Sequence, residues 1–186
     1  IGRSNVHQPP VSLQAADGAR LRNVECIRWP NGGGEVMALF RLSGNRETAT
    51  VELPEARRVY DLRTREDLGT VRRFTTEIIP NRATFFGLLP GPVPEATLTQ
   101  PEFPVNRGAA PAFALSVPGA DSRYAFRIRV THAGQPLDWH DDVVIVGAEA
   151  EDIVIPIAFN DPLGDYRVEA IELFSNQAAT ATLRVN

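Results

Sequence analysis

Apolar residues recur at every second position along most of this chain, in short runs that each end at glycine, proline, asparagine or aspartate. A period of two places alternate side chains on opposite faces of an extended strand, whereas a helix repeats at three and four residues. In residues 124–130 the even positions are apolar or aromatic, and Arg127 and Arg129 stand between them. The chain is therefore predicted to be all-β, with antiparallel sheets that bury one face.

Turn residues separate the apolar runs at short intervals. Asn31 and Gly32 tolerate a positive φ, so residues 30–34 are predicted to form the turn of a hairpin. Many short strands with such punctuation are typical of β-sandwiches. The predicted strands are residues 21–29, 35–42, 48–53, 57–62, 72–79, 83–89, 96–100, 112–117, 124–131, 142–146, 153–159, 166–173 and 179–185.

The pattern stops at Pro90, Pro92 and Pro94, three prolines within five residues. Such a segment cannot continue a central strand or form a helix, and it acts as a stiff, extended spacer. The chain is therefore predicted to contain two tandem antiparallel β-sandwich domains of immunoglobulin-like type, residues 1–91 and 92–186.

The overall charge and the apolar runs exclude several partners. The net charge is −4, and no unopposed basic stripe with aromatic residues is present, so nucleic acid is not an expected partner. The apolar runs are shorter than the about 18–20 residues of a membrane helix, so no membrane partner is expected. Cys26 is the single cysteine, which excludes an intrachain disulfide, and it is expected to be buried. The chain starts at Ile1 without a methionine, which favours a fragment whose upstream part has been removed.

Residues 59–69 begin with Val-Tyr-Asp, pass through a polar turn and end in Leu-Gly. This segment resembles one near the C-terminus of large bacterial β-galactosidase-type glycoside hydrolases, in the sandwich that follows the catalytic barrel. Residues 78–90 are similar to the last strands of that domain. Residues 124–130 and 155–168, where an apolar strand enters Asn-Asp-x-x-Gly, are similar to the domain that often comes next.

The resemblance implies a parent protein whose catalytic barrel precedes this chain. Its two catalytic carboxylates would lie in that barrel, so no catalytic residue is carried over and the chain is not expected to be an enzyme. It implies a non-catalytic accessory region with a scaffolding, interdomain or assembly role and no cofactor. The implied partner is the catalytic domain of the same parent chain or of another protomer, in a secreted or periplasmic setting.

One polar cluster, residues 138–142, suggests a ligand site. Trp139 offers a flat apolar surface for a sugar ring, and His140 and Asp141 offer hydrogen bonds to its hydroxyls. Trp29, at the end of a predicted strand, is a second candidate platform. These four residues are the predicted carbohydrate-binding residues, and a carbohydrate-binding module is the alternative function.

Other interpretations stay open for each of these features. Trp139 can fold onto the sandwich edge within a polar hairpin loop, and Trp29 can lie at the edge of the core. Residues 160–165 lack the ligand spacing of a calcium loop, and residues 132–142 match no known metal spacing, so no metal site is predicted. A cell-surface adhesion repeat is a further possible function. The apolar runs 143–146 and 153–157 are either buried on both sides or packed against a neighbour.

Overall fold

The computed structural model describes residues 11–101 and 104–186. These residues form strands joined by turns, with one short 3-10 helix at Asp138–His140. All strand pairings within their sheets are antiparallel, so the prediction of an all-β chain is confirmed. None of the described residues lies in a helix long and apolar enough to cross a membrane. The chain divides into two compact units, unit 1 (Ile1–Pro92) and unit 2 (Val93–Asn186).

Unit 1 is built on one six-stranded sheet. Its strands are β1 (Ser12–Ala15), β2 (Glu25–Asn31), β3 (Gly34–Phe40), β4 (Glu47–Asp61), β5 (Glu66–Ile78) and β6 (Thr84–Leu89). They lie in the order β1-β4-β6-β3-β2, and β5 pairs with β4. The strand β4 therefore connects three neighbours and organises the whole sheet.

The 15-residue strand β4 changes partners along its length. Its first half pairs with β1, where Leu13 lies opposite Val51. Its second half pairs with β6, where Val59 lies opposite Leu88. Between these halves the register with β5 shifts, and an irregularity of this kind lets a strand bend. One strand can thus belong to two parts of the sheet.

Two predicted strands, 48–53 and 57–62, are in fact this one continuous strand. Pro54 and Glu55 separate them in the sequence and resemble a turn. In the structure they fall in the segment of β4 where the register with β5 is interrupted. A proline is tolerated there because no ladder hydrogen bond requires its missing N–H. The sequence marks the irregularity correctly, but the strand does not end there.

The hairpin between β2 and β3 is tighter than the predicted turn at residues 30–34. The strands end and restart at Asn31 and Gly34, so two glycines form the turn. Pro30 is tolerated within β2 because this strand lies at the edge of the sheet. A Cβ added at Gly34 would lie 2.6 Å from Leu89 Cδ2, so close packing also requires a glycine at this position.

The core of unit 1 collects alternate apolar residues from five of the six strands. Phe74 and Phe86 pack with ring centroids 4.9 Å apart and planes inclined at 58°. Tilted aromatic pairs of this kind contribute about 0.5–1.5 kcal/mol beyond their burial. The buried cluster consists of Leu13, Met37, Leu39, Ala49, Val51, Leu53, Val59, Phe74, Ile78, Phe86 and Leu88.

Unit 2 contains two sheets. The five-stranded sheet consists of β9 (Tyr124–His132), β10 (Gln135–Pro136), β11 (Asp142–Val146), β13 (Gly164–Glu172) and β14 (Ala178–Val185). The three-stranded sheet consists of β7 (Thr97–Thr99), β8 (Ala112–Ser116) and β12 (Glu151–Val154). Among the described residues β11 pairs only with β9 and β12 only with β8, so each is an edge strand.

Burial along β9 follows the predicted alternation. Its even residues from Tyr124 to Val130 are at most 3% exposed, while Arg127 and Arg129 point away from the core. The predicted strand 153–159 is shorter, because β12 ends at Val154. Beyond it, residues 155 and 157 donate backbone hydrogen bonds to the loop at residues 109–111, and both side chains remain buried. The predicted alternation of burial therefore continues beyond the end of the strand.

For the apolar runs, the structure excludes the alternative of burial on both sides and leaves packing against a neighbour open, and the expectation that Cys26 is buried was wrong. Val143 and Ile145 of β11 are 58% and 56% exposed, so this run is not buried on both sides. Val154 of β12 is 53% exposed. Cys26 is also exposed, because it lies on the edge strand β2, which has a neighbour on one side only.

The two adjacent phenylalanines of β6 provide a test of the core. Phe86 is fully buried, whereas Phe85 on the opposite face is 37% exposed. F86A is expected to lower the free energy of unfolding by about 3–5 kcal/mol, because it leaves a cavity in the core. F85A, the matched control, is expected to cost less than about 1.5 kcal/mol. Urea unfolding monitored by circular dichroism measures both, and equal losses would contradict this core.

Candidate functional site

A groove of about 750 Å³ lies in unit 2 between the edge strands β11 and β12. The buried part of its lining is aliphatic and includes Ile128 of β9 and Ile153 of β12. The exposed part carries an aromatic ring and several carboxylates. The exposed lining residues include Trp139, Asp141, Asp142 and Asp152. An apolar lining with a few polar groups is the usual composition of a small-ligand site.

Two buried neighbours hold Trp139 in solvent. Leu137 is 6% exposed, and its N–H donates to the carbonyl of Val130 in β9 at 2.9 Å. His140 is 9% exposed, and its N–H donates to the carbonyl of Leu137 at 2.9 Å. Because the 3-10 helix is anchored by residues on both sides of Trp139, the indole points outward and is 65% exposed.

A second cavity adjoins the groove at the same tryptophan. This cavity has a volume of about 300 Å³ and is lined by Trp139 together with Ala158, Asn160, Asp161 and Pro162. Trp139 also lines the groove, so ligand groups in either cavity would contact its ring. The ring of His140 lies 5.8 Å from that of Trp139, centroid to centroid, and supports its position from the buried side.

His140 is the buried polar group of the site. Its side chain is 5% exposed, and its Nε2 has no hydrogen-bond partner among the described residues. An unsatisfied buried group of this kind costs about 1–3 kcal/mol. The nearest carboxylate oxygen, Asp161 Oδ2, is 3.9 Å away and accepts the N–H of Ala158 at 2.8 Å. The site therefore contains a hydrogen-bonding atom that the protein itself leaves unused.

Burial sets the charge of His140. Removal from water lowers the pKa of the imidazole below its ordinary value of 6.5, and the nearby carboxylate of Asp161 acts in the opposite direction. The desolvation effect is the larger of the two. At neutral pH the ring is therefore uncharged, and the groove contains no cationic histidine.

The carboxylates along the groove differ in their pairing. Asp141 forms an ion pair with Arg127 of β9. Asp142 Oδ1 accepts the N–H of Val143 at 2.7 Å, and Asp152 is exposed. Within the part of the chain that the structure describes, no cation is paired with Asp142 or Asp152. The groove therefore carries uncompensated negative charge.

The exposed edge of β11 is protected against pairing with another strand. The N–H of Val143 is taken by its own neighbour, Asp142, and the carbonyl of Ile145 accepts Arg123 Nη2 at 2.9 Å. Arg123 Nη2 also lies 3.6 Å from Glu151 Oε1 of β12, so it links the two edge strands. Side chains that occupy edge hydrogen-bonding groups are a common defence against aggregation.

Trp29 belongs to the other unit. It lies on the edge strand β2 and is 47% exposed. Ile27 shares its face, and the register of β2 with β3 and of β3 with β6 places Phe85 on that face too. Phe85 and Ile27 are 37% and 43% exposed. Trp29 is thus part of an apolar strip on unit 1.

The structure brings together three of the four predicted site residues. Trp139, His140 and Asp141 lie in one groove of unit 2, and Trp29 lies in unit 1. The interpretation of Trp139 as folded onto the sheet edge was wrong, since its side chain is 65% exposed, whereas Trp29 is half-exposed on an edge strand. Aromatic residues in short polar loops give no sequence signal for their orientation.

Two residues of the site were not predicted. Asp152 reaches the groove from β12, and Asp161 approaches His140 from the turn that follows β12 in the chain. Neither lies near residues 138–142 in the sequence, and only the pairing of the strands brings them there. Among the described residues, no group of three His, Cys, Asp or Glu side chains could hold a metal ion.

A scan against protein-family models and a search of curated proteins found no match to this chain.

The depressed pKa of His140 predicts acid sensitivity. The unfolded chain binds the proton near pH 6.5, and the folded site binds it only at lower pH. Between these two pKa values the unfolded state holds more protons, so the free energy of unfolding falls as pH is lowered through this window. NMR of the His140 Hε1 proton is expected to show a midpoint below 6.5.

The matched variant for this test is H140Q, which keeps a polar side chain but does not titrate. Its free energy of unfolding is expected to fall less steeply than that of the wild type as pH is lowered from about 6.5. Other titrating groups are common to both proteins and cancel in the comparison. Superimposable pH profiles would contradict the assignment of this acid sensitivity to His140.

Proposed function

We propose that this chain is a non-catalytic accessory region of a larger glycoside hydrolase-like protein, and that unit 2 binds carbohydrate in the groove at Trp139. The proposal includes two tandem immunoglobulin-like sandwiches. In unit 2 it is supported by two antiparallel sheets with alternating burial. In unit 1 it is supported by a single sheet in which the register of β4 with β5 shifts, and by a core that collects residues from five strands.

The exposure of Trp139 carries the carbohydrate proposal. A tryptophan buries a large apolar area when it can, and this one is held 65% exposed by anchors on either side. The C–H face of a pyranose packs well on such a flat ring. The carboxylates of Asp141 and Asp142 lie within the same lining and suit sugar hydroxyls, and His140, whose buried Nε2 has no partner among the described residues, belongs to that lining too.

A scaffolding contact is the second candidate function, and a specific observation favours it. Val143, Ile145 and Val154 are each more than half exposed on edge strands. Exposed apolar side chains of this kind are typical of protein contact surfaces. The partner would be the catalytic domain of the parent chain or another protomer. The protected edge of β11 indicates contact through side chains and not through strand addition.

Tryptophan fluorescence tests the carbohydrate function. Titration with β-linked gluco-, galacto-, xylo- and chito-oligosaccharides is expected to give saturable quenching or a blue shift with at least one of them. Isothermal titration calorimetry, which needs no tryptophan reporter, is expected to show that W139A weakens that binding about tenfold or more, because the substitution removes the stacking surface. W29A retains Trp139 as the reporter and serves as the matched control, with unchanged affinity.

Two results would speak against this function. Absence of saturation with every oligosaccharide would leave the scaffolding contact as the better interpretation. Saturation that W29A abolishes and W139A leaves intact would move the binding surface to unit 1. Melting curves of both variants distinguish lost binding from lost folding.

A further inference from the structure

Three carboxylates, which we call the acidic rim, line the groove: Asp141, Asp142 and Asp152. Arg127 pairs with Asp141 and compensates its charge. Within the described residues, Asp142 and Asp152 have no cationic partner. Two negative charges therefore face any ligand that enters.

The same groove lacks a positive group that could balance them. Among its lining residues the titratable side chains are the acidic rim and His140. Burial lowers the pKa of His140, so its ring is uncharged at neutral pH. Arg123 is occupied by the carbonyl of Ile145 and by Glu151. The groove therefore offers no ion pair to a carboxylate or sulfate on a ligand.

His140 provides an independent sign that the groove receives a ligand. Its side chain is 5% exposed and lines the groove, and its Nε2 has no partner among the described residues. Buried polar atoms in folded proteins are nearly always hydrogen-bonded. A small movement of the ring would bring Nε2 within reach of a ligand hydroxyl next to Trp139, which would supply the missing bond.

We infer that the groove sorts carbohydrates by charge: it binds neutral sugars, binds amine-bearing sugars more tightly, and excludes sugars that carry carboxylate or sulfate groups. Asp142 and Asp152 are the specificity-determining residues, and Trp139 contributes a stacking surface that does not depend on charge. This inference rests on the proposed carbohydrate function.

The expected size of the effect follows from Coulomb's law. A unit charge about 7 Å from a carboxylate in water changes affinity about threefold, in opposite directions for a cation and an anion. With two uncompensated carboxylates, the affinity for amine-bearing sugars is therefore expected to exceed that for uronate-bearing sugars by more than about tenfold at low salt. Because both carboxylates are exposed, salt is expected to reduce the separation.

Three β-1,4-linked tetrasaccharides of equal length test the inference: those of glucose, glucosamine and glucuronate. Isothermal titration calorimetry at pH 7 in about 20 mM salt is expected to rank glucosamine first, glucose second and glucuronate last. Raising the salt to about 0.5 M is expected to bring the two charged ligands toward glucose. The neutral ligand is expected to change little.

Charge-removing variants identify the determinants. D142N/D152N is expected to reduce the ratio of glucosamine to glucuronate affinity by about tenfold or more and to leave glucose affinity within about twofold. D121N/D165N removes the same charge from unit 2 at positions outside the groove lining and is the matched control. It is expected to change the ratio by less than about threefold.

The outcomes separate this inference from the function on which it rests. Equal affinity for the three tetrasaccharides, or an equal effect of the two double variants, overturns the charge sorting and leaves carbohydrate binding in place. No binding of any tetrasaccharide overturns the carbohydrate function and the sorting with it. If the three ligands rank as predicted, and only D142N/D152N removes the differences in affinity, both the charge sorting and the carbohydrate function are supported.

Discussion

The burial of one face of each strand is the constraint on which this structure depends. In β9 the alternation from Tyr124 to Val130 fixes which side chains enter the core of unit 2. The same strand pairs with β10, β11 and β13, so its register sets theirs. A shift of one residue would turn the whole apolar set toward solvent, which makes this register strongly favoured. The position of the 3-10 helix follows from it, because Leu137 bonds to the carbonyl of Val130.

The exposed tryptophan of unit 2 is a consequence of that anchoring. Leu137, which precedes the helix, and His140, its last residue, are buried on either side of Trp139 and anchor the turn to the core. The free energy gained by burying these two anchors holds the side chain of Trp139 in solvent. Its exposure is therefore built into the fold and does not depend on a mobile loop. A rigid platform loses little conformational entropy on binding, which suits ligand recognition.

Two edge strands border the groove, which is open to ligands, and the edge of β11 is protected against pairing with another strand. An unpaired edge invites strand addition, yet Asp142 and Arg123 occupy backbone groups of β11. Arg123 also approaches Glu151 across the gap and ties β11 to β12. The groove can thus remain open to a small ligand while these backbone groups of β11 are unavailable to another strand. The acidic rim then decides which ligand charges are tolerated.

The sequence by itself determined the all-β class, the core-facing residues of most strands and three residues of the candidate site, because a period of two is a local property of the chain. It did not reveal that β4 is one strand shared by two parts of a sheet, since Pro54 gives the local signal of a turn. It also missed Asp152 and Asp161, which reach the site from distant segments. The exposure of Trp139, the lowered pKa of His140 and the negative charge of the groove were decided by tertiary structure, because each depends on which non-local neighbours exclude water or supply charge.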